Sequence, residues 1–420
     1  MNPDFEVLTM RAEIIATGSE LLTGGVSDTN SLFLAEELLD IGIETAFKTV
    51  VGDNDKDMEE ALRGAFARVD VILVTGGIGP TEDDMTRKAV ARVFKKRLVL
   101  SDDALKAVKA VFSAKGKEYP GVNDRQALIP GGARLLNNPV GVAPGFYVVE
   151  EGKFIAVMPG VPAEMRAMFR EGLRQVLSDH FGGKAVIRRK VLHTCGLSES
   201  KVNELIQDVL KQKRPAVGLT AKETGVDIRI VAREGSGPRS RTVVERTESE
   251  VRKKLGDAVY GVDGQDLEEI VGVLLRQRKF TIAVAESCTG GLIGGRLTNI
   301  AGSSDYFERS VVVYSNEAKT SLLGVPAGLI ESRGAVSREV AGAMAGGIRE
   351  QAKTTFGLAV TGIAGPGGGT PEKPVGLVYI ALASKDGVKV DEHRFLGTRE
   401  LVRLRTVQAA LDMVRRYLIG

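Results

Sequence analysis

The chain has 420 residues, with 57 Lys+Arg against 54 Asp+Glu and a formal net charge of +3, a balance that does not argue for a nucleic-acid-binding protein. Hydrophobic residues at 43% and charged residues at 26% are ordinary for a globular chain, and at about 100–200 residues per domain two or three domains are expected. The two cysteines, Cys195 and Cys288, and the three histidines, His180, His193 and His393, are too scattered for a disulfide framework, a zinc site or a histidine-centred triad. No apolar run reaches the roughly 18–20 residues of a membrane span. Met1-Asn2-Pro3-Asp4 lacks the basic and apolar regions of a signal peptide, so a reducing cytoplasm is the expected location.

In chain order, Ala12–Ala16 reads as a strand running into Thr17-Gly18-Ser19. A helix is predicted from about Thr29, with Leu32, Ala35, Leu38 and Leu39 on one face. A strand near 46–51, a helix over 56–68 and the buried-type strand Val69–Val74 follow. Such alternation points to a mostly parallel sheet covered on both faces. Directly after the third strand comes Thr75-Gly76-Gly77-Ile78-Gly79-Pro80-Thr81, and then Glu82-Asp83-Asp84-Met85-Thr86 opens a helix. Glycines let backbone N–H groups approach an anion, and a helix N-terminus favours negative charge. Paired aspartates beside such a cradle repel a phosphate unless a hard divalent cation of the Mg²⁺ type lies between them, so Asp83 and Asp84 are the candidate metal ligands. Asp28 and Asn30 fall at the edge where open α/β sheets bind ligands and join Thr75, Gly76, Gly77 and Gly79 as candidate substrate contacts. The plainer alternative is a glycine turn whose carboxylates cap a helix. Met158-Pro159-Gly160-Val161-Pro162 and a helix to about His180 close this domain.

The middle segment changes pattern. Ala185–Leu192 and Val226–Val231 alternate as strands, and Ser198–Lys211 and Arg239–Leu255 read as helices, giving a small α+β unit. From near Gly264, a helical stripe of Leu267, Ile270, Val271, Leu274 and Leu275 leads into the strand Phe280–Ala285 and then Glu286-Ser287-Cys288-Thr289-Gly290-Gly291. A serine at a strand–helix turn presents its hydroxyl over backbone N–H groups, here those of Thr289, Gly290 and Gly291, which can stabilise a tetrahedral oxyanion. The Gly-x-Ser-x-Gly letters of a nucleophile elbow are absent, and an N-cap serine is the non-catalytic alternative. Tyr314 and Lys319 stand five apart across the next strand–helix junction. A buried lysine beside tyrosine and serine can lose its proton and act as base without any histidine. Cys288 is the competing nucleophile. It reacts only as thiolate, which its neighbour Glu286 opposes, so Ser287 is preferred. With no histidine or acid cluster nearby, no metal or other cofactor is expected here. Strands near 356–360, 375–383 and 388–395, and a terminal helix with Leu401, Leu404, Val407, Leu411, Val414 and Leu418 on one face, complete the segment.

The stretch Thr75–Thr86 resembles the signature of the molybdopterin-binding MoaB/Mog fold. More closely, it looks like the N-terminal domain of the CinA family of competence/damage-inducible proteins. Thr17–Leu22, Asp28-Thr29-Asn30, Ala143-Pro144-Gly145-Phe146 and Met158–Met165 match too, and the resemblance covers the whole chain. It implies an α/β protein: a three-layer α/β/α MoaB/Mog-like domain over 1–180, a KH-like α+β connector over 181–258 and an α/β amidase domain over 259–420. It further implies that the first domain is a metal-dependent ADP-ribose pyrophosphatase. The last would be a nicotinamide-nucleotide amidase converting nicotinamide mononucleotide to nicotinic acid mononucleotide and ammonia. Both would serve pyridine-nucleotide recycling in a homodimer. Carried over residue by residue, Ser287 matches the nucleophile and Tyr314 and Lys319 the activating pair. Ser304, Thr361 and the adjoining Gly362 match active-site positions, and Arg399 matches a substrate contact whose guanidinium suits a phosphate. One departure is Ile78, where threonine is usual. The connector lacks the Gly-x-x-Gly clamp of RNA-binding KH domains between Ser198 and Val231, so no nucleic-acid partner is expected. The rival reading is a molybdopterin-type binding protein with a degenerate amidase domain.

Overall fold

A computed structural model describes residues 10–181, 186–234 and 237–420. The Met1–Asp4 stretch, and Ala185 at the start of one expected strand, lie outside them. The chain divides into two compact units, Met1–Arg188 with Ala232–Thr242, and Arg189–Val231 with Val243–Gly420.

The first unit carries β1 (Arg11–Thr17), β2 (Glu44–Val51), β3 (Val71–Thr75), β4 (Leu98–Leu100), β5 (Leu128–Pro130), β6 (Arg134–Leu136), β7 (Gly145–Glu150) and β8 (Lys153–Met158). β4 and β5 form their own antiparallel pair. The other six make one sheet in the order β2-β1-β3-β8-β7-β6, parallel from β2 to β8 and antiparallel at β7 and β6. The cores of β1, β3 and β8 are nearly unbroken apolar runs because both faces are covered. Ile15, Ile72, Val74 and Val157 pack with Met58 and Leu62 of the helix Asp55–Arg68. Ile14, Leu73 and Ala156 pack on the other face with Leu34, Leu38 and Phe169. This is the expected three-layer arrangement. The helix Thr29–Asp40 is rotated from the expected stripe: Leu32 is 57% exposed, and Phe33, Leu34 and Leu38 are buried. The Phe33 ring sets the phase by meeting Phe169 edge-on at 6.1 Å.

The second unit begins with a four-stranded sheet, β10-β11-β9-β12, from β9 (Val186–Thr194), β10 (Ala216–Lys222), β11 (Gly225–Glu234) and β12 (Val259–Val262). The single helix expected over 198–211 is two pieces, Glu199–Leu205 and Gln207–Leu210. The break falls at Ile206, which leaves helical geometry while fully buried. Then come β13 (Ile282–Glu286), β14 (Phe307–Val312), β15 (Phe356–Gly362), β16 (Leu377–Ser384) and β17 (Gly387–Arg394). They are ordered β14-β13-β15-β16-β17, with the first three parallel. One face packs Val284, Leu358 and Ile380 against the helices Leu267–Arg278 and Arg399–Ile419. The other is paved with Ala283, Ala285, Ala359 and Ala381 beneath the helix Arg338–Ala352. That helix sits so close that a Cβ on Gly357 would fall 2.1 Å from Ala345 O. Among the described residues no helix is long and apolar enough to cross a membrane.

Candidate functional site

Two groups of sequence-selected residues converge, each at the C-terminal ends of parallel strands. In the second unit, Glu286 at the end of β13 lies beside Val312 of β14 and Val360 of β15. The serine turn, the segment after β14 and Thr361 therefore share one sheet edge. Ser287 N–H donates to Val360 O at 3.1 Å. Gly290 and Gly291 adopt φ of +60° and +96°, a region that favours glycine, and turn the chain into the helix Leu292–Thr298.

Lys319 reaches this turn from the helix Asn316–Leu323, whose start is capped by the Ser315 hydroxyl. The side chain is 1% exposed. Its Nζ stands 3.4 Å from Ser287 Oγ, 2.9 Å from Val313 O and 3.1 Å from Tyr314 O. No carboxylate pairs with it among the described residues, and burial pushes its ammonium below the ordinary lysine range, with the nearby Cys288 acting in the opposite sense. Burial pushes the Cys288 thiol up to about 11, and Glu286 adds to the shift. A thiol held protonated is a poor nucleophile.

Three expectations about this site are corrected. Tyr314 is 61% exposed, and its hydroxyl accepts from Arg399 Nη2 at 3.0 Å. Only its backbone carbonyl meets Lys319, so the ring relays no proton to Ser287. Gly290 N–H donates to Ser287 O at 3.1 Å and Gly291 N–H to Glu286 Oε2 at 3.0 Å. Among the described residues, the backbone N–H groups left open in the turn are those of Cys288 and Thr289. Ser304 lies in the short turn Ser303–Asp305 ahead of β14. There Phe307 pairs with Ile282, the first residue of β13, whereas Ser287 follows the last. At about 3.3 Å per residue the two serines of one chain are about 15 Å or more apart, on opposite sheet edges.

The remaining positions do gather. Thr361 is buried and donates to Ala335 O at 2.9 Å. Gly362 leaves room for Val378, whose Cγ2 would lie 2.6 Å from a Cβ. Arg399 donates from Nη1 to Gly365 O at 2.8 Å and keeps an exposed guanidinium at the rim.

In the first unit Thr75 lies between Ala16 of β1 and Met158 of β8. The loops after these strands line a cavity of about 720 Å³. Asn30 Nδ2 donates to Thr75 Oγ1 at 3.0 Å and Gly160 O at 2.7 Å, leaving its buried Oδ1 without a partner. Asp28 accepts from Ser31 N–H at 2.9 Å and caps the following helix. Asp84 accepts from Gly79 N–H at 2.6 Å, Thr81 N–H at 2.8 Å and the Thr81 hydroxyl at 2.6 Å. It therefore clamps the glycine loop, and Asp83 is the exposed member of the pair. Gly76 N–H is taken by Met158 O, so Gly77 and Ile78 carry the open N–H groups of this loop among the described residues. Ile78 lines the cavity, but its side chain is 2% exposed and packs in the core.

Comparison with known proteins covers nearly the whole length. Residues 13–179 match the family model "Probable molybdopterin binding domain", 189–261 the "Damage-inducible protein CinA KH domain" and 264–418 the "CinA C-terminal domain". A CinA-like protein of Dictyoglomus thermophilum is 43% identical over 412 residues, which is 98% of this chain and 100% of that one. The chain belongs to the CinA family. A CinA relative from Caldicellulosiruptor bescii, named for competence-damage induction, is 43% identical over 411 residues, again 98% of this chain and 100% of that one. A solved competence/damage-inducible protein of Agrobacterium tumefaciens is 44% identical. It covers 37% of this chain and 94% of its own, with a TM-score of 0.36.

Three residues of this CinA chain were missed by sequence reasoning. Arg87, buried, donates to Ile78 O and, at 2.6 Å, to Gly79 O, holding the loop from beneath. Burial lowers its guanidinium to about 10, with Asp84 opposing that shift. Arg403 donates to Cys288 O at 3.1 Å and Thr289 O at 2.9 Å. Glu286 is fully buried. As the one charged residue in the apolar strand Ile282–Glu286, Glu286 carried a readable signal; the sequence around the two arginines carries none.

Proposed function

We propose that this CinA protein is a bifunctional hydrolase of pyridine-nucleotide metabolism in a reducing, cytoplasmic setting, and that it acts as a homodimer. The second unit cleaves the amide of nicotinamide mononucleotide, and the first splits the diphosphate of ADP-ribose. The observation that carries the amidase reading is the buried Lys319 Nζ at 3.4 Å from Ser287 Oγ with no carboxylate partner among the described residues, a separation that can tighten in a substrate complex. A neutral amine has two N–H groups and a lone pair. Three carbonyls lie within reach of Nζ, Val313 O at 2.9 Å, Tyr314 O at 3.1 Å and Ser315 O at 3.4 Å; donation to the two nearer ones leaves the lone pair for the serine hydroxyl.

The steps follow from that arrangement. Ser287 Oγ bonds to the amide carbon while its proton passes to Lys319. The oxyanion is met by the N–H groups of Cys288 and Thr289. The C–N bond breaks as Lys319 returns the proton to the leaving nitrogen, giving ammonia and a nicotinoyl ester on Ser287. Lys319 then takes a proton from water, whose oxygen attacks the ester, and gives it back to Ser287. Arg399 at the rim matches the substrate's 5′-phosphate.

For the first unit, the cavity lining holds Glu20, Asp28, Asp53, Asp83, Asp84 and Glu164 against one lysine, Lys115. A diphosphate entering such a lining requires a cation. No three His, Cys, Asp or Glu side chains form a ready-made metal group among the described residues. Mg²⁺ would suit this lining, since it typically takes one or two carboxylates plus substrate phosphates. Asp83 would hold it, with Asp84 shaping the loop, and the ion would neutralise the diphosphate and polarise it toward water. Gly77 and Ile78 N–H groups cradle the phosphate.

The deciding experiment offers the purified protein nicotinamide mononucleotide and ADP-ribose, with and without chelator, and identifies products by mass spectrometry. Nicotinic acid mononucleotide is expected in both conditions, and AMP with ribose phosphate only without chelator. Unchanged substrates would favour a pterin-type binding protein with an inactive second domain.

A further inference from the structure

Glu286 is an anomaly until its partners are counted. The side chain is fully buried, and no lysine or arginine pairs with it among the described residues. Burying a carboxylate is costly unless its oxygens are satisfied. Here they are: Oε2 accepts from Gly291 N–H at 3.0 Å and Ile293 N–H at 3.1 Å, and Oε1 from Gly294 N–H at 2.9 Å and the Ser310 hydroxyl at 2.8 Å. Three of these donors start the helix Leu292–Thr298, where backbone N–H groups have no intrahelical acceptor. A helix end placed just after a nucleophile is a ready anion site, and in this protein a side chain of the chain itself fills it.

One residue thus ties the end of β13 to the start of the next helix and to β14, spanning the turn that holds Ser287. The turn is fixed from both sides: Ser287 N–H sits on Val360 O, and Glu286 holds the far end. Gly294 makes this fit possible, since a Cβ there would lie 2.8 Å from the Ser310 Cβ. We propose that Glu286 is the positioning residue of the serine turn. It withdraws the helix N–H groups from the reaction, so that the acyl oxyanion is directed to Cys288 and Thr289 N–H and Ser287 Oγ stays aimed at Lys319. Glu286 touches neither substrate nor reacting atom. The proposal rests on the amidase reading above.

The test uses the full-length protein with Glu286→Gln and Glu286→Leu, nicotinamide mononucleotide as substrate, and a fluorophosphonate as a serine-directed label. Gln keeps one acceptor oxygen but turns an NH₂ group toward backbone donors, so kcat should fall about tenfold while KM stays within about threefold of the original. Leu leaves the N–H groups bare, and about a hundredfold loss in kcat is expected. The ascending limb of the pH profile should stay in place in both, because Lys319 is untouched. Fluorophosphonate labelling of Ser287 should slow in step with kcat. An original kcat in folded Glu286→Gln overturns the proposal, as does a change confined to KM or a displaced pH limb. Should the Leu variant fail to fold, the Gln variant decides alone. Should the unaltered protein leave nicotinamide mononucleotide intact, the amidase reading fails first. Labelling, which needs no substrate, then still tests the positioning role, and equal rates in the unaltered protein and Glu286→Gln overturn it.

Discussion

In the amidase reading proposed above, Lys319 acts as a base only in its neutral form, and its surroundings set when that form is present. Burial lowers its pKa, so the amine is free above that lowered value and is lost as pH falls through it. The rate of amide hydrolysis should rise with pH along an ascending limb centred below the ordinary lysine value of about 10.4. A pH–kcat/KM profile checks this, and a limb at or above the ordinary value would contradict it. Stability follows the same sign: between the lowered and the ordinary pKa the unfolded chain binds the extra proton, so this group's contribution rises with pH over that interval. Ser287→Ala and Lys319→Met should each cost several orders of magnitude in turnover because the pair acts as a unit, whereas Cys288→Ala should keep most activity, given a thiol pushed up to about 11. A dead Cys288→Ala beside an active Ser287→Ala would reverse the assignment. The place of Ser287 was legible because strand ends are marked by glycine and by the stop of an apolar run, and that of Lys319 because it falls in the first turns of the helix that follows the next strand. Tyr314 misled because sequence cannot tell whether a side chain or its carbonyl faces the neighbour.

At the level of elements, strand ends were easier to read than strand register. Ser304 stands only seventeen residues after Ser287, yet the crossover to β14 starts from the far edge of the sheet, as every parallel connection must. The same logic made Thr361 legible, since it lies at the end of a strand parallel to β13. The glycine loop of the first unit was recognised, but its donors were reassigned because Asp84 and Met158 O already occupy two of them. This leads to a prediction. In Asp84→Asn an NH₂ group faces the N–H of Gly79 or Thr81, and the loop loses its clamp. ADP-ribose hydrolysis measured in excess Mg²⁺ should drop at least about tenfold, with amide hydrolysis unchanged. A fully active variant would show that the clamp is dispensable. Gly79→Ala should act alike, since its Cβ would fall 2.5 Å from Asp84 Oδ2.

On the scale of the whole molecule, the segment from Gly264 onward has its own sheet and helices on both faces. Expressed alone, it should fold and deamidate nicotinamide mononucleotide. It should also be less stable than the same segment in the full chain by about 1–3 kcal/mol, because Arg405 loses Glu223 O and Arg415 loses Asp257 O as partners. Denaturant melts with activity assays on both forms check this. An inactive fragment beside an active full chain would place essential structure outside it.

The helix Arg399–Ile419 supplies the rim guanidinium Arg399, the Arg403 contacts to the serine turn and a large share of one core face. Its buried stretch around Val407–Leu411 has no solvent-facing route to fray. The amides there should exchange with deuterium only through opening of the entire sheet-and-helix body, not by local fluctuation. Arg403 holds the carbonyls of Cys288 and Thr289, so such an opening also dismantles the turn that carries Ser287. Loss of amidase activity on heating and deuterium uptake by this helix should thus be a single event, with one midpoint, rather than an early softening of the catalytic loop within an intact fold.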